Sequence, residues 1–188
     1  MPAHGLPPDC TYFPGCFAPG ERLYGRLLAD LPWQTDHVQI YGRLVEVPRR
    51  IAMFGTDYRY SGVNHPAHPM TPLLREIQAR VEACTGLRFT GVLANLYRSG
   101  ADYIGWHRDN DYLHGGQDAL ASVTFGAERR FLFRHYEDAE RTFETVLGDG
   151  SVLVMGGVNL KTFKHSLPKM ARVSQGRINL TFRHIIEK

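Results

Sequence analysis

The chain has 188 residues, of which 43% are hydrophobic and 22% are charged, and its formal net charge is +3. This composition is typical of a globular protein with a hydrophobic core, which excludes an extensively disordered chain and a small fold that depends on metal. The slight positive charge suits a polyanionic partner but is too small to establish one. We expect a single domain over residues 1–188.

The three cysteines, Cys10, Cys16 and Cys84, are odd in number and lack CxxC spacing. This pattern argues against a disulfide framework or a structural zinc site and favours reduced thiols. The first twenty residues contain no apolar run of signal-peptide length, and no later stretch reaches the roughly 18 apolar residues of a membrane span. We therefore expect a cytoplasmic protein that has no membrane partner, and a monomer.

Two helices are predicted in the first half of the chain, after an irregular arm over about residues 1–18. The first, Glu21–Leu31, has apolar residues at the spacing of one helical face and ends before Pro32. The second is predicted to begin after the N-cap residue Thr71 and to end at Gly86. Its buried stripe comprises Leu73, Leu74, Ile77, Val81 and Cys84.

Six short apolar segments separated by turn signals predict strands in the second half of the chain. They are Phe89–Tyr97, Ala119–Phe125, Phe131–His135, Phe143–Leu147, Val152–Met155 and Ile178–Ile185. Helices that precede a run of closely spaced strands indicate an α+β fold built on an antiparallel sandwich or jelly roll.

The segment over residues 41–62 interleaves aromatic residues with arginines. They are Tyr41, Phe54, Tyr58 and Tyr60, with Arg43, Arg49, Arg50 and Arg59. Aromatic rings stack on bases and arginines neutralise phosphates, so the composition suits nucleic-acid contact. A β-hairpin whose aromatic residues pack in the core and whose arginines face water has the same pattern, and composition alone favours the hairpin.

The tripeptide His107-Arg108-Asp109 has two interpretations. HRD opens the catalytic loop of protein kinases, but that loop needs Asn five residues after the Asp, where this chain has His114, and the other kinase motifs are missing. On an extended segment, His107 and Asp109 instead point to the same face and can bind a divalent metal. Two histidines and one carboxylate on one face of an octahedron are the ligands of non-haem Fe(II) oxygenases.

Such a site requires a second histidine from a distant part of the chain. His165 is the best candidate because it follows the predicted strand Val152–Met155 and precedes a proline turn. His114, His135 and His184 are competing candidates.

Two predicted strands have a polar face. On the last strand, the polar face comprises Arg177, Asn179, Thr181 and Arg183, and the apolar face comprises Ile178, Leu180 and Phe182. An edge strand with a solvated face would look similar, but two arginines on one face can also bind a dicarboxylate by bidentate hydrogen bonds. Asn95 and Tyr97 share a face of another strand. Together with a metal site, these faces indicate an oxygenase that uses a keto acid.

The sequence resembles the AlkB family of Fe(II)- and 2-oxoglutarate-dependent nucleic-acid dealkylases from about Val38 to the C-terminus. The resemblance lies in NLYRSGADYIGWHRDND, ASVTFGAERRFLFRH, KHSLP and RINLTFRHI, which follow the family's order and spacing. It implies an α+β fold with a double-stranded β-helix (jelly-roll) core, supporting N-terminal helices, and a nucleotide-recognition lid at approximately residues 36–65.

The resemblance also implies roles for individual residues. Fe(II) would be bound by His107, Asp109 and His165. 2-Oxoglutarate would be bound by Asn95, Tyr97, Arg177, Thr181 and Arg183. With dioxygen, such an enzyme demethylates bases of the 1-methyladenine and 3-methylcytosine type that are flipped out of DNA, and releases formaldehyde, succinate and CO2. The base and its strand would be contacted by Tyr41, Gly42, Arg43, Tyr58, Arg59, Tyr60 and Asn110.

Asn110 stands where close relatives often have an acidic residue that contacts the base, so the selectivity for cationic bases is expected to differ. The basic residues around His165, which are Lys161, Lys164, Lys169 and Arg172, fit phosphate contact and a solvated loop equally well. Three alternatives stay open: the same chemistry on RNA or protein, an inactive nucleic-acid-binding relative, and a zinc hydrolase. A zinc hydrolase would leave the two arginines of the last strand unexplained.

Overall fold

The computed structural model of the protein describes residues 3–18, 22–40, 43–56, 58–60, 63–65, 67–109 and 118–185. Within these ranges the chain forms fourteen β-strands and three α-helices. None of the helices in these ranges is long and apolar enough to cross a membrane.

The larger sheet has seven strands, and each neighbouring pair is antiparallel. Its spatial order is β2 (Cys10–Phe13), β12 (Val152–Gly156), β9 (Ala119–Gly126), β14 (Arg177–Arg183), β7 (Gly91–Tyr97), β4 (Arg43–Phe54) and β3 (Gln34–Ile40). The last strand of the chain, β14, is therefore the central strand of this sheet.

The smaller sheet has five strands and faces the larger one. Its order is β1 (Ala3–His4), β11 (Thr142–Leu147), β10 (Arg129–His135), β13 (Phe163–Leu167) and β8 (Ile104–His107). Only the pair β1–β11 is parallel among these described strands. The strands β5 (Tyr58–Tyr60) and β6 (Val63–His65) form a separate antiparallel pair.

Two hydrophobic clusters hold these layers together. In the first, α1 (Leu23–Asp30) and α2 (Pro72–Thr85) pack Leu27, Leu74 and Ile77 against the outer face of the larger sheet. The second cluster lies between the sheets, where Phe133 and Phe163 of the smaller sheet meet residues of the larger one. The short helix α3 (Gly157–Thr162) links β12 to β13. The predicted α+β fold with a jelly-roll core is confirmed.

The bounds of α2 agree closely with the sequence prediction. The Thr71 hydroxyl accepts a hydrogen bond from the Leu74 N–H at 3.2 Å, which satisfies a free donor of the first turn. Gly86 ends the helix with φ of 74°, a left-handed conformation that glycine adopts without a steric penalty. Leu73, Leu74, Ile77 and Val81 are buried, as predicted.

The prediction of an irregular arm over residues 1–18 is wrong. β2 pairs with β12 at the edge of the larger sheet, and β1 pairs with β11 at the edge of the smaller one. These strands have four and two residues, too few for a hydrophobic period to appear in the sequence. The first helix begins at Leu23, and Glu21 lies outside the described residues.

The prediction of three reduced thiols is also wrong. Cys16 and Cys84 form a disulfide, with their Cα atoms 6.3 Å apart and a separation of 68 positions in sequence. The bond joins the loop after β2 to the last turn of α2, an approach that cysteine spacing alone does not reveal. Cys10 is the free cysteine of the described chain, and burial, assisted by the charge of Asp9, raises the pKa of its thiol to about 12.

The segment predicted to be either a hairpin or a recognition lid contributes directly to the larger sheet. Residues Arg50–Phe54 of β4 pair with β7, and Phe54 is buried in the core, as the hairpin interpretation predicts. Arg49 is buried as well, with 7% of its surface exposed, rather than facing water. The beginning of β4 is different, because Leu44 is 71% exposed.

Reduction of the disulfide is expected to lower the free energy of unfolding by about 4 kcal/mol, because a crosslink that closes a loop of this length restricts the unfolded chain. Urea denaturation with and without a reductant measures this change. The double substitution Cys16→Ser with Cys84→Ser should give the same loss and no further response to reductant. The Cys10→Ser protein is the control, and its response to reductant should match that of the wild type.

Candidate active site

A cavity lies between the two sheets and encloses about 760 Å³, its open mouth included, which is ample for a small ligand. All eight residues that the sequence predicts for metal and cosubstrate binding line it. They are His107, Asp109 and His165, together with Asn95, Tyr97, Arg177, Thr181 and Arg183. Residues that are up to 88 positions apart in sequence therefore face one space.

Sheet pairing brings His107 and His165 together. The two residues are direct partners in the antiparallel pair β8–β13, and their ring centroids are 4.2 Å apart. His165 Nε2 lies 3.4 Å from Asp109 Oδ2. One potential ligand atom from each of the three residues lies within 4.8 Å of the others. Among the described residues this is the cluster that could hold a metal ion.

The competing histidines are not part of this cluster. His135 Nδ1 instead accepts hydrogen bonds from the backbone N–H groups of Glu137 and Asp138, both at 3.3 Å. His184 does not line the cavity, and His114 lies outside the described residues.

The hydrogen bonding of His107 prepares its ring for a metal. Its Nδ1 lies 2.8 Å from the carbonyl oxygen of Gly105, and since a carbonyl only accepts, Nδ1 is the donor. The lone pair is therefore on Nε2, the arrangement that a metal-binding histidine requires. Burial, with a smaller contribution from the neighbouring His165, lowers the pKa of His107 to about 4, so this ring is neutral at pH 7.

Asp109 is held as a carboxylate. Burial alone would raise the pKa of this carboxyl group. Arg183 and the two histidines outweigh burial and hold the pKa well below its usual range. The Nη2 atom of Arg183 lies 3.0 Å from Asp109 Oδ1. Two imidazoles and one ionised carboxylate are a donor set that fits Fe(II) and leaves coordination positions open for other ligands.

Arg177 is a buried cation with 1% of its surface exposed. Its Nη2 donates to Thr124 Oγ1 at 2.9 Å and to Asn179 Oδ1 at 3.0 Å, while its Nε has no hydrogen-bond partner within the described part of the chain. Burial lowers the pKa of Arg177 to about 10. Tyr97 acts to raise this pKa, and Arg129 makes a smaller contribution that lowers it. The guanidinium is still charged at pH 7. A buried charge that has no acidic partner among the described residues suits an anionic ligand.

Four polar residues line the cavity that the sequence reasoning did not assign to the site: Asp36, Arg49, Ser122 and Asn179. Asn179 Oδ1 accepts from Ser122 Oγ at 2.7 Å, and its Nδ2 donates to Thr181 Oγ1 at 2.7 Å. Arg49 Nε donates to Asn95 Oδ1 at 2.9 Å, which leaves the Asn95 amide hydrogens for a ligand. The alternation of β14 already placed Asn179 on the face of Arg177, whereas Asp36 carried no sequence signal.

Arg129 supports the site from outside the cavity and was also missed. It is 1% exposed and donates to the carbonyl oxygens of Ser99, Asp102 and Pro168 at distances of 3.1, 2.9 and 2.7 Å. These bonds connect the segment before β8 to the residue after β13, and these two strands carry His107 and His165.

Of the predicted substrate residues, the structure describes Arg43 in full and only the backbone of Tyr58, Arg59 and Tyr60. Arg43 is exposed at the start of β4, and Tyr58, Arg59 and Tyr60 form β5. Tyr41, Gly42 and Asn110 lie outside the described residues. Among the basic residues near His165, Lys161 pairs with Asp118 at 3.1 Å, and Lys164 and Lys169 lie over tyrosine rings.

Comparison with known proteins agrees with this geometry. Residues 10–183 match the family model described as the 2OG-Fe(II) oxygenase superfamily. The chain belongs to the 2OG-Fe(II) oxygenase superfamily. As a member, it is a dioxygenase that depends on Fe(II), 2-oxoglutarate and dioxygen.

Individual relatives place the chain with AlkB-like members, as the sequence motifs predicted. It is 36% identical to "DNA oxidative demethylase ALKBH2" of Mus musculus over 197 residues, which cover 98% of this chain and 82% of the relative. It is 32% identical to "Alpha-ketoglutarate-dependent dioxygenase alkB homolog 3" of Homo sapiens over 187 residues, which cover 90% of this chain and 65% of the relative.

Solved structures confirm the fold. The superposition on "The structure of OsALKBH1" has a TM-score of 0.67 at 17% identity and covers 96% of this chain and all of that one. A 2OG-Fe(II) oxygenase family protein from Burkholderia pseudomallei gives a TM-score of 0.63 at 14% identity, and the superposition covers 97% of this chain and 94% of that one.

Removal of a metal ligand is expected to abolish binding of a divalent ion. The substitutions His165→Ala and Asp109→Asn should each weaken Mn(II) binding at least a hundredfold, as measured by isothermal titration calorimetry in the absence of oxygen. His135→Ala is the matched control, because His135 lies on the neighbouring strand of the same sheet but outside the cavity. Equal affinities for the His165→Ala and His135→Ala proteins would contradict the assignment of the metal site.

Proposed function

We propose that the protein repairs DNA by oxidative demethylation of N-alkylated bases of the 1-methyladenine and 3-methylcytosine type. The observation that carries this proposal is the cavity that combines the His107–Asp109–His165 cluster with the buried cation Arg177. The similarity to proteins named DNA oxidative demethylase supports DNA as the substrate.

His107, Asp109 and His165 would hold Fe(II), since one atom of each can reach a common point and the His107 tautomer presents Nε2. The bound iron, with 2-oxoglutarate and dioxygen, supplies the oxidation of the N-methyl group. The chain contributes the geometry. Asp109 stays ionised beside Arg183, and the hydrogen bond of His107 to Gly105 fixes the orientation of its ring.

The polar face of β14 would bind 2-oxoglutarate. Arg183 lies at the metal end of the cavity because its Nη2 contacts Asp109, so we assign it to the carboxylate of the cosubstrate nearest the iron. Arg177, further along the same face, would bind the other carboxylate through bidentate hydrogen bonds. Thr181, Asn95 and Tyr97 line the space between and would donate to the remaining oxygens.

A base inside a duplex cannot reach this cavity without leaving the stack. Flipping costs a few kcal/mol, and less for a methylated base that pairs poorly, so damage itself favours entry. The proposal includes contacts with DNA that rest on the sequence resemblance. Tyr58 and Tyr60 would stack on the base, and Tyr41 would insert into the duplex. Further contacts would come from Gly42, Arg43, Arg59 and Asn110.

The activity is tested with purified protein, Fe(II), 2-oxoglutarate, air and a DNA oligonucleotide that contains 1-methyladenine. We expect equimolar succinate and formaldehyde with restored adenine, all lost in the His107→Ala and Arg177→Ala proteins. RNA of the same sequence and a methylated peptide are assayed in parallel. Turnover of RNA or peptide without turnover of DNA would overturn the DNA proposal and retain the oxygenase.

The substitution Arg177→Gln is expected to weaken 2-oxoglutarate binding at least tenfold, since it removes the buried cation that faces the cosubstrate. Affinity of the wild type should also fall as pH rises through about 10, because the cation is lost there. Both changes are measured by calorimetry with Mn(II) in place of iron. Arg130→Gln, which removes an arginine that is paired with Glu144 on the surface, is the control and should bind normally.

A further inference from the structure

The cavity wall includes one more charged side chain besides the metal-binding cluster and the arginines. It is the carboxylate of Asp36, which is 9% exposed. Asp36 lies on β3, which is separated from β14 by the strands β7 and β4. Three strand spacings of about 4.8 Å place it roughly 14 Å from the β14 backbone. The acidic group therefore lies on the part of the cavity wall that β3 and β4 form, away from the β14 backbone.

An irregularity in the pairing of β3 with β4 accounts for this position. Thr35 pairs with Arg50 and His37 pairs with Glu46, so Asp36 alone faces three residues of β4. Pro48 is the middle one of these three and has no N–H to donate to β3. Such bulges bend a strand and redirect its side chains, often beside active sites.

Asp36 has no cationic partner among the side chains that the structure describes. Its Oδ1 accepts a hydrogen bond from the backbone N–H of His37 at 2.9 Å, and its Oδ2 takes none from the described residues. The arginines of the cavity are bonded elsewhere: Arg49 to an amide oxygen of β7, Arg177 to polar groups of β9 and β14, and Arg183 to Asp109. A buried carboxylate without a cation is costly, and a cationic ligand would remove that cost.

We infer that Asp36 determines specificity by selecting bases that carry a positive charge, an inference that rests on the proposed function. Methylation of adenine at N1 or cytosine at N3 gives a cationic ring that retains its exocyclic amine. Asp36 Oδ2 accepts a hydrogen bond from that amine and attracts the ring charge, a charge-assisted contact stronger than a neutral one. Thymine methylated at N3 is neutral and has no exocyclic amine, so it gains nothing from Asp36.

The test compares two DNA oligonucleotides of one sequence, containing 1-methyladenine or 3-methylthymine. In the Asp36→Asn protein, kcat/KM for 1-methyladenine should fall at least tenfold, mainly through KM, while that for 3-methylthymine changes less than twofold. Asp36→Glu should recover part of the selectivity. Glu46→Gln, which removes an exposed carboxylate from the partner strand, is the matched control and should leave both values unchanged. An equal loss for both bases, or no loss, overturns the inference.

Equilibrium binding separates this inference from the proposed function. Affinities for the same oligonucleotides are measured by fluorescence anisotropy with Mn(II) and 2-oxoglutarate, without turnover. In one outcome, the wild type demethylates neither base but binds the oligonucleotide with the cationic base more tightly, and the Asp36→Asn protein loses this preference. That outcome would contradict the proposed repair activity and support the role of Asp36. Equal binding of both oligonucleotides by both proteins would overturn that role, whatever the activity.

Discussion

The complete burial of β14 is the constraint on which the rest of the structure depends. As the central strand of the larger sheet, it is covered on both faces, and all seven of its residues are buried. One face, with Ile178, Leu180 and Phe182, packs against the helices. The other face carries two arginines, which no apolar layer could cover at a tolerable cost. A polar cavity between the sheets is the arrangement that accommodates them.

The metal cluster follows from the same architecture. Because β8 and β13 are neighbours in the smaller sheet, His107 and His165 are brought into register by backbone hydrogen bonds rather than by side-chain packing alone. Arg183 of the larger sheet then reaches Asp109 and connects the two sheets at this point. The groups that we propose to bind the metal and those that we propose to bind its cosubstrate thus belong to opposite walls, and sheet packing sets the distance between them.

Features with a local or periodic signal could be predicted from the sequence. The capping residues of α2, the alternation on β14 and the same-face HxD pair each depend on neighbours within a few residues, and the resemblance selected His165 from the four candidate histidines. Features that depend on distant pairing could not be predicted. The Cys16–Cys84 disulfide needs the approach of a loop to a helix, and Asp36 enters the cavity only because the β3–β4 register shifts. Arg49, assigned to solvent by the hairpin interpretation, is buried and donates to Asn95 of the neighbouring strand β7.

The N-terminal segment adds one strand to each sheet, β1 beside β11 and β2 beside β12. The backbone between them is also fixed, because Gly5 donates to Glu144, and Asp9 accepts from Gly156 and Val158. A shortened chain that lacked these residues would leave the N–H and C=O groups of two outer strands open to pairing with another molecule. This short stretch therefore replaces two longer edges with edge strands of two and four residues, and very short edge strands are poor templates for aggregation.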